Sequence, residues 1–151
     1  LAGGWTITGI TTLQKGRPIE LSAPNNTNSY GGGSRPNNNG QSAYLPSSDR
    51  SLSRWFNTSV FSQPEPFTFG VVGRMLPDVR EPGITNFDFS VHRRFRIRES
   101  VSVEFRTELF NMFNTPQFGR PNGGYGGVLF GTINNQANAP REIQFGLKLL
   151  W

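Results

Sequence analysis

The feature that most narrows what this chain can fold into is a two-residue period, sustained over about ten to twelve positions in four separate segments. Side chains alternate between the two faces of an extended backbone, so apolar/polar alternation marks a strand with one apolar and one polar face. Between Asn86 and Ile97, Phe87, Phe89, Val91, Phe95 and Ile97 share one face, while Asp88, Ser90, His92, Arg94 and Arg96 share the other. From Val101 to Phe110, Val101, Val103, Phe105 and Leu109 oppose Ser102, Glu104, Arg106 and Glu108. The segment Arg141 to Trp151 sets Ile143, Phe145, Leu147, Leu149 and Trp151 against Glu142, Gln144, Gly146 and Lys148. A weaker pattern from Gly3 to Leu13 places Trp5, Ile7, Gly9, Thr11 and Leu13 together, with Thr6, Thr8, Ile10 and Thr12 opposite.

These runs exceed the usual 5–6 residues of soluble strands and approach the 9–11 needed to cross a bilayer at a tilt. Composition agrees, because apolar residues make up 34% of the chain, against about 45–50% in ordinary soluble domains. A water-soluble globule would be underfilled. The apolar residues are also skewed to Phe, with 13 copies against two Met, which favours pleated, half-buried strands. No apolar run is long enough for a transmembrane helix, and no charged-then-apolar start marks a signal peptide. With Leu1 as its first residue, the chain reads as a fragment of a longer exported protein.

The connections are unequal. Ile97 and Val101 are three residues apart, a tight hairpin, whereas Gly16 to Thr85 and Asn111 to Pro140 are long and rich in Asn, Gly, Pro and Ser, as in Pro24-Asn25-Asn26-Thr27-Asn28 and Gly31-Gly32-Gly33. Short turns on one side and long loops on the other is the asymmetry of outer-membrane barrels, whose periplasmic turns are short and extracellular loops long. With the last strand running inward, the strands alternate in direction, both long loops fall outside and the hairpin falls in the periplasm. The expected fold class is therefore all-β: antiparallel strands forming the C-terminal part of a transmembrane barrel, with strands over about 3–14, 86–97, 101–112 and 141–151 and loops over about 15–85 and 113–140. Pro18 to Ser22 and Phe67 to Val72 are the candidates for short strands within the first loop. Competing readings are a passive porin-like barrel, disfavoured because four strands cannot close, and a secreted β-sandwich that binds carbohydrate. A sandwich poorly accommodates a loop of some 70 residues, since connections in compact domains have a median of about 4–6.

The polar faces carry the only constellation of charged groups. If residues 98 to 100 form a three-residue loop, directly opposed positions sum to 198, so Arg94 faces Glu104, Arg96 faces Ser102, His92 faces Arg106 and Ser90 faces Glu108. Asp88, His92, Arg94, Arg96, Glu104, Arg106 and Glu108 thus form a lumen-facing ladder. It reads either as wall-filling charge pairs or as part of a substrate path. One charge departs from the pattern: Arg93 lies among the apolar residues. A cation there costs about 2–4 kcal/mol at the bilayer midplane and about 0–1 near the interface, so it snorkels, or the strand is bulged, or that face is covered.

Catalytic, metal and cofactor sites are not expected. The single His92 sits on a polar strand face, cysteine is absent, and Glu104 and Glu108 have arginines to pair with. Gly123-Gly124-Tyr125-Gly126-Gly127 lacks the following Lys-Ser/Thr of a phosphate loop. Asn25-Asn26-Thr27 and Asn57-Thr58-Ser59 fit glycosylation acceptors but read as loop composition in a bacterial protein. The net charge of +5 comes from scattered arginines, so nucleic acid is not an expected partner.

The last alternating strand, closing on an aromatic residue, resembles the C-terminal assembly signal of bacterial outer-membrane proteins. Ile143, Phe145, Leu147, Leu149 and Trp151 match it throughout, which implies recognition by the barrel assembly machinery. A wider resemblance runs through Gly16-Arg17-Pro18, Arg54-Trp55-Phe56-Asn57, Phe69-Gly70, Gly73-Arg74, Asn86-Phe87-Asp88-Phe89-Ser90, Glu108-Leu109-Phe110-Asn111-Met112-Phe113-Asn114, Phe118-Gly119, Phe130-Gly131 and Pro140-Arg141-Glu142-Ile143-Gln144-Phe145-Gly146-Leu147-Lys148. Together these resemble the barrel region of TonB-dependent receptors, in the Oar-like group that carries a carboxypeptidase-regulatory-like module. The resemblance implies a bacterial outer-membrane location, uptake of a nutrient such as an oligosaccharide, peptide or chelate, lipid as surroundings, and coupling to TonB through an N-terminal part not contained in these residues. It implies no covalent chemistry.

Overall fold

A computed structural model of the protein describes residues 3–26 and 33–151. Among them are six strands: β1 (Trp5–Gln14), β2 (Asn37–Asn38), β3 (Phe61–Ser62), β4 (Ile84–Arg96), β5 (Ser102–Phe110) and β6 (Glu142–Leu150). The chain divides into two compact units. One contains the strand ending at Gln14, Ile84–Gln117 and Ala137–Trp151; the other contains Lys15–Gly83 and Phe118–Gln136.

The first unit is a four-stranded antiparallel sheet in the order β1-β4-β5-β6. Its strands begin and end within about two residues of where the alternation places them. β1 starts at Trp5 and not at Gly3, because Gly4 takes a left-handed φ of 83° that leaves the extended region. At about 3.3 Å per residue and a tilt near 40°, strands of 9–13 residues rise about 23–33 Å, close to or above the height of an apolar band about 25 Å tall.

The hairpin between β4 and β5 sets the register. Val101 N–H donates to the Arg98 carbonyl at 3.3 Å, while Ile97 and Arg98 N–H both donate to the Val101 carbonyl at 2.9 and 3.0 Å. The three-residue connection is thus a two-residue turn at Glu99-Ser100 plus a bulge in which two residues oppose one. The bulge absorbs the odd residue, so Arg94 faces Glu104, Arg96 faces Ser102, His92 faces Arg106 and Ser90 faces Glu108, the pairing expected from the spacing.

The same register carries the apolar rows across the sheet. Trp5, Arg93, Phe105 and Leu147 form one row; Ile7, Val91, Thr107 and Phe145 form the next. The pairing of β4 runs unbroken through Arg93 on both sides, so no bulge removes this residue from the apolar face. Large side chains of this face stay exposed, among them Leu13 at 71%, Phe145 at 73% and Leu147 at 76%. Each such side chain kept from water would contribute about 1.5–3 kcal/mol, so a soluble sandwich would cover them with a second sheet. The other sheet among the described residues pairs only β2 with β3, two residues each. No helix among them is long and apolar enough to cross a membrane.

The second unit shows that the long connections are not plain loops. They hold a buried core of Ile19, Leu21, Ala43, Phe56, Val60, Phe61, Val72, Leu76 and Val79, against which Trp55, Tyr125 and Phe130 pack. Phe130 stands edge-on to Phe56, Phe61 and Tyr125, with ring centroids 5.4, 5.9 and 5.5 Å away. Trp55 Nε1 donates to the Arg80 carbonyl at 2.7 Å, and the Arg50 guanidinium lies over the rings of Tyr44 and Trp55.

The short strands of this unit are not the expected ones. Pro18 and Ser22 each make only an isolated bridge, to Arg80 and Gly124, and Phe67 to Val72 is not a strand. Phe67 adopts a left-handed φ of 64°, and a Cβ on Gly70 would lie 1.7 Å from the Arg35 carbonyl oxygen. Phe67, Phe69 and Val71 are exposed, at 75%, 77% and 73%, so the alternation of this segment is not that of a paired strand. Asn57 caps a short 3-10 helix, Thr58–Val60, its side chain accepting from Ser59 N at 3.2 Å. That accounts for one of the two Asn-X-Ser/Thr sequences; Thr27 of the other lies outside the described residues, as do Asn28, Gly31 and Gly32.

Candidate functional site

The polar face of the sheet is built by the hairpin register, and it brings most of the ladder together. Arg94 Nη2 donates to Glu104 Oε2 across the pair at 3.1 Å, and Arg106 Nη2 forms an ion pair with Glu108 Oε1 at 2.8 Å along β5. Lys148 of β6 faces Glu104 from the other side, and Gln144 faces Glu108. His92 stands between Thr6 and Arg106 in its row, with Nδ1 buried and without a hydrogen-bond partner. Arg96 is the last residue of β4, opposite Ser102. Thr8 and Ser90 hydroxyls, 2.8 Å apart, continue the polar face onto β1.

Asp88 keeps its place on the polar face, where it lines a small cavity with Ser90, Arg106 and Glu108, and it also joins a second arrangement. Its Oδ1 accepts from Asn86 Nδ2 and from Asn111 N, each at 2.9 Å. Asn111 sits just past β5 with φ 50° and is buried to 7% exposure. Its side chain donates to the Thr115 and Ala139 carbonyls and accepts from Thr115 N, stitching the outgoing chain to the segment that enters β6. Asn86, Asp88, Asn111, Gln117, Asn138 and Glu142 line a cavity of about 390 Å³ at the end of the sheet from which both long connections leave. Sequence reasoning placed Asp88 in the ladder and missed this cluster. The signal available was Asn at 111 and 114 directly after a strand, since Asn accepts left-handed φ more readily than most residues.

Within the second unit, Asn38, Gln41, Ser42, Met75, Leu76 and Asp78 are among the residues around a groove of about 680 Å³, where the Ser42 hydroxyl donates to Asp78 Oδ2 at 2.5 Å. Residues this far apart in an aperiodic segment carry no sequence signal of proximity. No group of three or more His, Asp or Glu that could hold a metal occurs among the described residues.

The terminal row is ordered as the alternation requires. Ile143 pairs with Leu109, Phe145 with Thr107, Leu147 with Phe105 and Leu149 with Val103, all on the apolar face. The Phe145 ring stacks on Phe105 with centroids 6.3 Å apart. Trp151 follows β6 and is 91% exposed.

Long antiparallel strands with one apolar exposed face and one polar face define a membrane-crossing β-sheet protein. A family model described as outer membrane beta barrel domain matches residues 1–144, and the chain belongs to that family. Its location is the bacterial outer membrane. No curated protein and no solved structure matches the chain.

Proposed function

We propose that this barrel segment serves a TonB-dependent receptor of the Oar-like, carboxypeptidase-regulatory-like group, taking up a scarce nutrient such as an oligosaccharide, peptide or chelate without covalent chemistry. The observation that carries this reading is the second unit. Two long connections leaving one end of the sheet fold into a cored body with a groove of about 680 Å³, an arrangement suited to capturing a ligand outside the cell. The lumen ladder would line the route inward, and TonB would couple through a part of the protein beyond these residues. The barrel assembly machinery and outer-membrane lipid complete the set of partners; nucleic acid and cofactors have no role. Four strands are half the smallest usual barrel of eight, so closure takes further strands.

Transport assays on intact cells test the reading. Uptake of the ligand should stop when TonB is deleted or the proton gradient is collapsed, while the folded barrel stays in the membrane. Diffusive uptake unchanged by either treatment would replace the receptor with a passive porin-like barrel.

A further inference from the structure

Among the described residues of the apolar rows, Arg93 is the one charged side chain. Its guanidinium lies 5.2 Å from the centroid of Trp5, directly opposite on β1, and 4.7 Å from that of Phe95, two residues nearer the turn. Arg93 stands three residues before the end of β4, about 10 Å along the strand and less in depth because the strands tilt. A cation at that height reaches the headgroup boundary, where aromatic rings also concentrate.

We infer that Arg93, with Trp5 and Phe95, forms a binding site for the phosphodiester of a phospholipid in the inner leaflet of the outer membrane. Stacking on aromatic rings uses the faces of the planar guanidinium, whereas its hydrogen bonds are donated in the plane, so ring contact and phosphate recognition are compatible. The rings fix the orientation of the side chain. Ile7, Val91, Phe105 and Leu147 surround the position with apolar surface suited to acyl chains. Assignment to the inner leaflet rests on the sidedness of the proposed reading, in which the turn at Glu99-Ser100 is periplasmic.

Native mass spectrometry on the full-length protein, purified folded in a neutral detergent, tests this. Phosphatidylglycerol should be retained and diacylglycerol with the same chains should not. Arg93→Gln should weaken phosphatidylglycerol binding about tenfold or more, the scale of one charge-assisted contact, while Arg94→Gln, which removes the same charge from the opposite face, leaves it unchanged. Heat-modifiable mobility confirms that each variant is folded, and Arg93→Lys provides a milder variant if Arg93→Gln fails to fold; it should retain the charge but bind more weakly than wild type. Equal binding by wild type and Arg93→Gln, or equal loss in Arg94→Gln, overturns the site. Preference for lipid A over phosphatidylglycerol also overturns it; labelling of a cysteine at position 99 then tells whether the lipid assignment alone or the sidedness beneath it has failed.

Discussion

Phe130 meets Phe56 edge-on, with ring centroids 5.4 Å apart and planes at 81°, and so joins two connections that lie on opposite sides of the β4–β5 hairpin in sequence. Phe130 also touches Phe61 and Tyr125, which makes it the aromatic hub of the second unit. Replacing it with alanine should loosen that unit by about 2–3 kcal/mol, at or below the low end of the range of about 3–5 kcal/mol for core Phe because the ring is only partly buried. Trypsin should then cut at Arg50 or Arg54 at least tenfold faster on intact cells, with heat-modifiable mobility of the barrel unchanged. Equal proteolysis of variant and wild type would show that the two connections do not depend on each other.

The charge ladder makes a separate prediction. Arg94→Glu sets two carboxylates against each other in the same row and should lower the denaturant midpoint of the refolded barrel. Adding Glu104→Arg should recover part of the loss but not all of it, since Lys148 faces position 104 from β6 and then meets a like charge. Strictly additive losses in the double variant would mean that the 3.1 Å contact between Arg94 and Glu104 carries no coupling.

How much of this could be read from the residues differs between the two units. Period-two alternation revealed four strands, and the three-residue connection at 98–100 fixed the register, because both follow from local geometry. The row placement of Arg93 was visible, but its rings were not fully so: Phe95 is two positions away, whereas Trp5 arrives only through the β1–β4 pairing. In the second unit the alternation Phe67-Thr68-Phe69-Gly70-Val71 imitated a strand, while the actual ladder joins Asn37–Asn38 to Phe61–Ser62. Its core unites Ile19, Phe56 and Val79 across an aperiodic, turn-rich stretch, and no local pattern encodes such distant contacts.

Assembly should depend on the terminal apolar row. Deleting Trp151 together with Phe145→Asp in the complete protein should deplete folded barrel from the outer membrane while synthesis continues. The substitution also removes the stacking of Phe145 on Phe105, so deletion of Trp151 alone serves as the cleaner arm. Undiminished folded protein in both variants would refute the role assigned to this strand.

Sidedness can be read with single cysteines, because the chain has none of its own. Ser34 lies in the long first connection but is buried, at 6% exposure, so Ser47 and the fully exposed Val128 are the better reporters. A membrane-impermeant maleimide should label both in intact cells and label Glu99→Cys only after the outer membrane is permeabilised. The reverse pattern would invert the topology.

The most direct measurement is a cysteine scan along β4 from Phe87 to His92 in the folded full-length protein. Positions 88, 90 and 92 should react with a water-soluble maleimide, whereas 87, 89 and 91 should resist it and, carrying a fluorophore, be quenched by lipid-borne quenchers. That alternation is what a strand with one face on lipid and one on an aqueous lumen requires. Uniform reactivity along the strand, or lipid quenching at the even positions, would contradict the account.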